Sequence, residues 1–177
     1  MSPQDSNPVP LEATDPKRAR TLKLKIRDRA NDIRRHLLAL RTAMAEFGDD
    51  FDREVFAAAF ASEDPVALNR VKAVERGVEQ LYACIVELAV FGLELAELRG
   101  RRDEADMRGD LTALRRAGVL STELTRRLRR LGELRRMLAR HATAEHVHEA
   151  ALLVTANFPA FYGAFGDWAK RGFSIVP

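Results

Sequence analysis

One segment constrains the fold of this chain more than any other, because the stretch from Val71 to Leu95 is apolar on most sides of a helix. One face carries aliphatic residues at steps of three, four and seven: Val71, Val74, Val78, Leu81, Ile85, Leu88 and Leu95. Val86, Ala89, Val90 and Phe91 add apolar surface on other faces. A helix that is apolar over most of its circumference lies at the centre of a fold or also serves a subunit interface. The sequence therefore predicts helices packed around this segment.

The remaining segments also have helical periodicity. Near the N-terminus, Ile26, Ala30, Ile33, Leu37, Leu40, Met44 and Phe47 follow one another at four- and three-residue steps. Helix starts are indicated by the pair Asp64-Pro65, by Ser121 or Thr122, and by Thr143. No segment has the alternation of a strand. We therefore predict an all-α fold, an up-and-down bundle of four to five helices joined by short loops.

Helix ends are indicated by glycine and proline. Gly48, Gly100 and Gly118 are expected to terminate three helices. Asp49 or Asp50 is expected to cap a short helix that contains Phe51. Because proline lacks an amide donor, Pro159 is expected to kink or restart the last helix.

The composition of the 177 residues indicates how the chain is divided into a tail and a domain. Residues 1–16 hold four of the seven prolines and are expected to form a disordered tail, followed by one domain over 17–177. The only cysteine, Cys84, excludes an internal disulfide, which fits a reducing, cytoplasmic location. Glu87 and Glu94 interrupt the apolar segment, which argues against a membrane span.

The stretch RRLRRLGELRRMLARH holds seven arginines between Arg126 and His141. Leu124, Leu128, Leu131, Leu134 and Leu138 form one apolar stripe through it, so the arginines occupy the other sides. Guanidinium groups bind phosphate oxygens, and a histidine side chain can carry a proton near neutral pH. This combination favours phosphodiester chemistry. It could equally be a solvated helix face without function.

Arg136 and His141 are the candidate catalytic residues, and Arg135 and Arg140 the candidate substrate-binding residues. RNA supplies its own nucleophile, the 2′-hydroxyl, so His141 would serve as acid or base while Arg136 stabilises charge on the phosphorane. On an ideal helix these two residues point roughly 140° apart. We therefore expect a helix break near His141, a curled arginine, or a second subunit that completes the site.

Three possible metal ligands lie close together in the sequence, but we do not predict a metal site. His141, Glu145 and His148 share one side of a continuous helix, but a helix start at Thr143 would separate them, and no fourth ligand is evident. We therefore predict neither a metal nor a cofactor.

The order of these segments resembles a known family. The features are VERGVEQLYACIVELAVFGLEL, a shorter helix, AGVLSTELTRRLRRLGELRRMLARH, VHEAALLV and FPAFYGAFGDW. From about Phe51 to Trp168 the chain resembles the HEPN superfamily, and within it the HepT-like proteins (the DUF86 group). The resemblance implies a helical bundle that dimerises and, in many members, cleaves RNA without a metal.

The family motif is an arginine followed, after four to six residues, by a histidine. Arg136 and Arg135 both have this spacing to His141, and a third alignment puts Arg140 at the histidine position. HepT-like members commonly pair, as toxins, with a nucleotidyltransferase antitoxin that can modify a tyrosine two places after the histidine. That place holds Thr143 here.

Two functions follow as expectations. The first is a toxin-like, metal-independent endoribonuclease that acts as a homodimer, with RNA and a nucleotidyltransferase antitoxin as partners. The alternative is a non-catalytic HEPN-like module that binds a nucleotidyltransferase or its substrate. A plain structural bundle is the third possibility.

Overall fold

A computed structural model describes residues 15–98 and 107–175, which form helices in an up-and-down arrangement and contain no strand. The helices are α1 (Pro16–Ala45), α2 (Arg53–Phe60), α3 (Pro65–Leu95), α4 (Met107–Arg116), α5 (Thr122–Arg140) and α6 (Ala144–Phe173). The all-α prediction is confirmed, although the described residues form six helices because α2 and α4 add short elements to four long ones. Helix α1 starts at Pro16, inside the predicted tail, whereas tail residues 1–14 and Gly100 lie outside the described residues.

Helix α3 is the centre of the bundle, as its sequence predicts. It contacts each of the other five helices in the described part of the chain. Leu81, Ile85 and Leu93 are fully buried. Every other described helix therefore packs at least partly against α3.

Two glycines let helices approach α3 closely. A Cβ atom at Gly77 would lie 2.9 Å from the Cβ atom of Leu40 on α1. A Cβ atom at Gly92 would lie 2.7 Å from the Cε2 atom of Phe165 on α6. These distances are below ordinary van der Waals contact, so α1 and α6 pack against glycine surfaces that no larger residue could provide without movement.

Three predicted helix starts are confirmed by their capping bonds. The side chains of Asp64, Ser121 and Thr143 accept hydrogen bonds from backbone amides in the first turns of α3, α5 and α6. The predicted stop at Gly118 is also confirmed, because α4 ends at Arg116 and Gly118 has a φ of +73°. Local side-chain chemistry therefore sets these boundaries.

The prediction for the start of α2 was wrong. Its N-cap is Asp52, not Asp49 or Asp50, and Phe51 lies before the helix with a φ of +55°. The Phe51 ring is buried, 5.1 Å from the ring of Phe56 and stacked on His148 at 4.5 Å. Tertiary burial of this ring holds the backbone in an unfavourable region and moves the helix start.

The fresh start predicted at Pro159 does not occur, because α6 runs from Ala144 to Phe173 with Pro159 inside it. Pro159 is exposed, while Phe158 and Phe161 on either side of it are buried. The packing of these aromatic rings maintains the helix across a residue that cannot donate to it. Within the described residues no helix is long and apolar enough to span a membrane.

Candidate nucleic-acid interface

Helix α5 is oriented by its leucine stripe. Leu128, Leu131 and Leu134 are buried, so the arginines between them point away from the core on both flanks. One flank faces α6 and the other faces α4, since α5 packs against both. The two flanks differ in how their charges are neutralised.

Arginines on the α6 side and at the start of α5 are paired with carboxylates. Arg126 and Arg127 both donate to Glu123, and Arg130 donates to Glu149 with distances of 2.9 and 3.0 Å. Hydrogen bonds from Arg126 and Arg127 lower the pKa of Glu123 to about 2. The hydrogen bond to Glu149 raises the pKa of Arg130 above its ordinary value. These arginines therefore form a compensated surface.

Arginines on the α3 and α4 side contact neutral groups instead. Arg129 donates to the hydroxyl of Thr112, and its buried Nε atom makes no hydrogen bond to any described residue. Arg136 Nε donates to the Gly132 carbonyl at 3.4 Å. The Cζ atom of Arg135 lies 4.9 Å from the centroid of the Tyr82 ring. None of these three forms an ion pair with a carboxylate in the described residues.

These side chains border an open groove, called here the α4–α5 groove, which is lined mainly by α4 and α5 and also by Leu153 and Asn157 of α6. Its floor is formed by Tyr82, Met107 and Gly132. Its arginines are Arg108 and Arg115 from α4, with Arg126, Arg127, Arg129, Arg130, Arg135 and Arg136 from α5. Glu133 is the only carboxylate among the lining residues that the structure describes. Arg126, Arg127 and Arg130 are paired with carboxylates, so the positive charge of the groove comes mainly from Arg115, Arg129, Arg135 and Arg136.

Gly132 keeps the floor of this groove open. A Cβ atom there would lie 3.4 Å from the Sδ atom of Met107 and 3.7 Å from the Oη atom of Tyr82. A methyl group would therefore fit in contact with both residues and fill the space between them.

The structure separates the four predicted site residues into two groups. Arg135 and Arg136 line the α4–α5 groove, whereas Arg140 and His141 do not. His141 is exposed and forms the C-cap of α5, with a φ of −160° and its amide bonded to the Met137 carbonyl at 2.8 Å. The predicted helix break near His141 is confirmed. Within one chain, however, the histidine does not share the groove with Arg136.

The three side chains weighed as metal ligands are also separated. His141 ends α5, while Glu145 pairs with Arg53 and His148 Nε2 lies 2.7 Å from the Phe51 carbonyl oxygen. No group of three histidine, cysteine or carboxylate side chains that could hold a metal is present in the two described ranges. Cys84 is buried, and this burial raises the pKa of its thiol to about 11.

Sequence reasoning missed three groove residues. Tyr82 lies in the apolar segment of α3, but it is only half-buried and forms part of the groove floor. Arg115 and Arg129 were not singled out, because their role depends on the packing of α4 against α5. The available signal was the position of Arg129, which lies seven residues before Arg136 and so on nearly the same side of α5.

Comparison of the chain with models of known families, with curated proteins and with solved structures finds no match. Membership of the HEPN superfamily therefore stays a prediction from the residues quoted above.

Proposed function

We propose that this bundle binds RNA through its phosphodiester backbone in the α4–α5 groove. The observation that carries the proposal is the set of groove arginines without a carboxylate partner in the described residues: Arg115, Arg129, Arg135 and Arg136. Guanidinium groups match phosphate oxygens in geometry and charge. The choice of RNA among polyanions rests on the resemblance of the arginine–histidine segment.

The shape of the groove supports a polymeric ligand. The groove has a volume of about 1150 Å³ and is partly open to solvent, so a bound chain could continue beyond it. On α5 the groove cations without a carboxylate partner extend from Arg129 to Arg136. Seven residues of helix cover about 10 Å, which is enough to contact successive phosphates of one strand.

Binding is tested by measuring the affinity of a fluorescent single-stranded RNA over a tenfold range of salt concentration. We expect the affinity to fall steeply, because each phosphate contact releases counterions. The double variant Arg129→Gln/Arg136→Gln should bind more weakly and with a shallower salt dependence. An affinity that does not change with salt, or a variant that binds like the parent, would refute the proposal.

We further propose that the bound RNA is cleaved without a metal. Arg136 lies in the groove, where it can stabilise negative charge on the phosphorane. His141 lies just beyond the end of the same helix and is exposed. Because His141 does not line the groove of its own chain, the proposal includes a homodimer in which the second copy supplies the histidine.

Cleavage is tested by incubating RNA with the protein in EDTA, beside Arg136→Ala and His141→Ala. We expect the parent to cut and both variants to be inactive. Mixing the two inactive variants tests the dimer, because one site in a mixed dimer would regain both residues. Equal inactivity of all three proteins would exclude catalysis, and equal activity would indicate a contaminating nuclease.

The separation of His141 from the groove favours a second candidate, a non-catalytic module that holds RNA for a nucleotidyltransferase. Here the protein would bind RNA and a nucleotidyltransferase but leave RNA intact when free of that partner. The cytoplasm is the proposed location in both cases, since Cys84 is a buried thiol.

A further inference from the structure

The solvent-facing side of α1 carries a second regular pattern, separate from the α4–α5 groove. Arg20, Arg27, Arg34 and Arg41 recur at intervals of seven residues. Leu24, Asn31 and Leu38 lie four residues after the first three arginines, so the whole series alternates steps of four and three. We call these seven positions the α1 heptad face. Steps of four and three are the spacing of the contact positions in a two-stranded coiled coil.

This face has no partner in the bundle. Leu24 is 50% exposed and Leu38 is 68% exposed. The four arginines are exposed and form no ion pair or hydrogen bond with any residue that the structure describes. The buried side of α1 is a different set that includes Ile26, Ile33 and Leu40. Helix α1 therefore has one contact face in the core and a second one turned to solvent.

The pairing of carboxylates with other basic residues on α1 shows that the heptad face is the uncompensated one. Arg29 pairs with Asp32 and Glu87, Arg35 pairs with Asp32, and Arg18 pairs with Glu94 at 3.5 Å. The lower pKa of Asp32 is caused first by its hydrogen bond from Arg35. Asp28 adjoins Arg27 on α1 and forms no ion pair with a described residue, so the four arginines leave the heptad face with a net positive charge.

We propose that the α1 heptad face binds an acidic amphipathic helix of another protein. The two exposed leucines would pack against apolar residues of that helix, and the four arginines would pair with its carboxylates. The aliphatic stems of arginine can cover apolar surface while their guanidinium groups reach outward. Asn31, between the two leucines, would offer its amide group to a polar residue of the partner helix.

Three other occupants fit less well. A second copy of α1 would bring arginines against arginines, and like charges at these positions repel. A nucleic-acid backbone offers no apolar group for Leu24 and Leu38. A membrane surface would favour a broader apolar face, rich in large side chains, over isolated leucines between cations.

The length of the face suits a partner of three heptads. From Arg20 to Arg41 the helix extends for about 30 Å. On a straight helix this pattern drifts by about 20° per heptad, so a bound helix would follow α1 with a left-handed twist.

The test uses a synthetic peptide of four heptads with leucine at the contact positions and glutamate beside them. Two further peptides serve as comparisons: a scrambled one of the same composition and one with lysine in place of glutamate. Binding to the full chain is measured by fluorescence anisotropy. We expect the acidic heptad peptide to bind at least about tenfold more tightly than either comparison, because specificity requires both register and charge.

Variants locate the binding site. Arg27→Gln/Arg34→Gln and Leu24→Gln/Leu38→Gln should each weaken peptide binding by about tenfold or more, in line with removal of two contact residues. Leu152→Gln on α6, whose leucine is 42% exposed, is the matched surface control and should leave binding unchanged. Circular dichroism checks that each variant retains its helix content.

The inference is independent of the proposed RNA site. Arg129→Gln/Arg136→Gln should leave peptide binding unchanged, and Arg27→Gln/Arg34→Gln should leave RNA binding within about twofold. The inference fails if the acidic peptide does not bind at concentrations up to about 100 μM. It also fails if the scrambled peptide binds equally well. It also fails if the arginine variant loses affinity for duplex RNA or for phosphatidylserine vesicles instead of the peptide.

Discussion

Arg135 lies over the ring of Tyr82, with its Cζ atom 4.9 Å from the ring centroid. This contact joins α5 to α3 at the floor of the α4–α5 groove. It holds one of the uncompensated guanidinium groups in place through an interaction that leaves its positive charge unneutralised.

Substitutions of Tyr82 and of Arg135 should affect RNA binding differently. In Tyr82→Leu we expect RNA affinity to fall about two- to fivefold, since an exposed cation–π contact contributes about 0.5–1 kcal/mol. The salt dependence should not change, because no charge is lost. Arg135→Gln should reduce both the affinity and its salt dependence. Tyr82→Phe keeps the ring and is the control. A changed salt slope in Tyr82→Leu would contradict this role.

Groove arginines should contribute separately to phosphate binding. Replacing Arg129 or Arg136 singly with glutamine should reduce the slope of log affinity against log salt by about 0.7–1, as expected for one lost contact. Arg53→Gln is the matched control, because Arg53 pairs with Glu145 away from the groove. Fluorescence anisotropy at five salt concentrations gives the slopes. A slope reduction in Arg53→Gln equal to that in Arg136→Gln would assign the effect to overall charge.

Glu123 should titrate at an unusually low pH. Hydrogen bonds from Arg126 and Arg127 lower its pKa to about 2, below the value of about 4.3 in an unfolded chain. Its contribution to stability is therefore present above about pH 4.3 and is lost as the pH falls through about 2. Carboxyl NMR resonances report the titration directly. In Arg126→Gln/Arg127→Gln we expect the pKa to return toward 4.3, and an unchanged pKa would exclude this cause.

Two glycine substitutions should change stability in opposite directions. Gly77→Ala should lower the free energy of unfolding by about 1–3 kcal/mol, because its Cβ atom would lie 2.9 Å from Leu40 at the α1–α3 contact. Gly163→Ala should raise it by about 0.5–1 kcal/mol, because no atom lies within 4 Å and alanine favours the helix. Urea denaturation measures both. A Gly77→Ala variant as stable as the parent would show that α1 can move away from α3.

Much of the fold could be predicted because its determinants are local. The helical periods of α1, α3 and α5 and the capping residues Asp64, Ser121 and Thr143 follow from residue types and spacing alone. The start of α2 and the continuity of α6 could not be predicted in this way. Burial of the Phe51 ring and of the rings beside Pro159 overrides the local preference in those two places.

The candidate site could be predicted only in part for a related reason. The sequence identifies α5 as arginine-rich, but the charge of each arginine is compensated or left open by residues on other helices. Arg130 meets Glu149 on α6, whereas Arg129 meets Thr112 on α4. Such pairings depend on how the helices pack, so Arg135 and Arg136 could be predicted as candidate site residues while Tyr82 and Arg115 were missed.

The central position of α3 has a consequence for how this chain can change over time. The buried residues of α3 pack against neighbouring helices along its whole length, so substitutions at those positions are constrained. The arginines of α5 and the solvent face of α1 touch far fewer residues. They can be substituted with little effect on the stability of the fold. The same scaffold can therefore acquire new ligands through its outer cations while its interior stays the same.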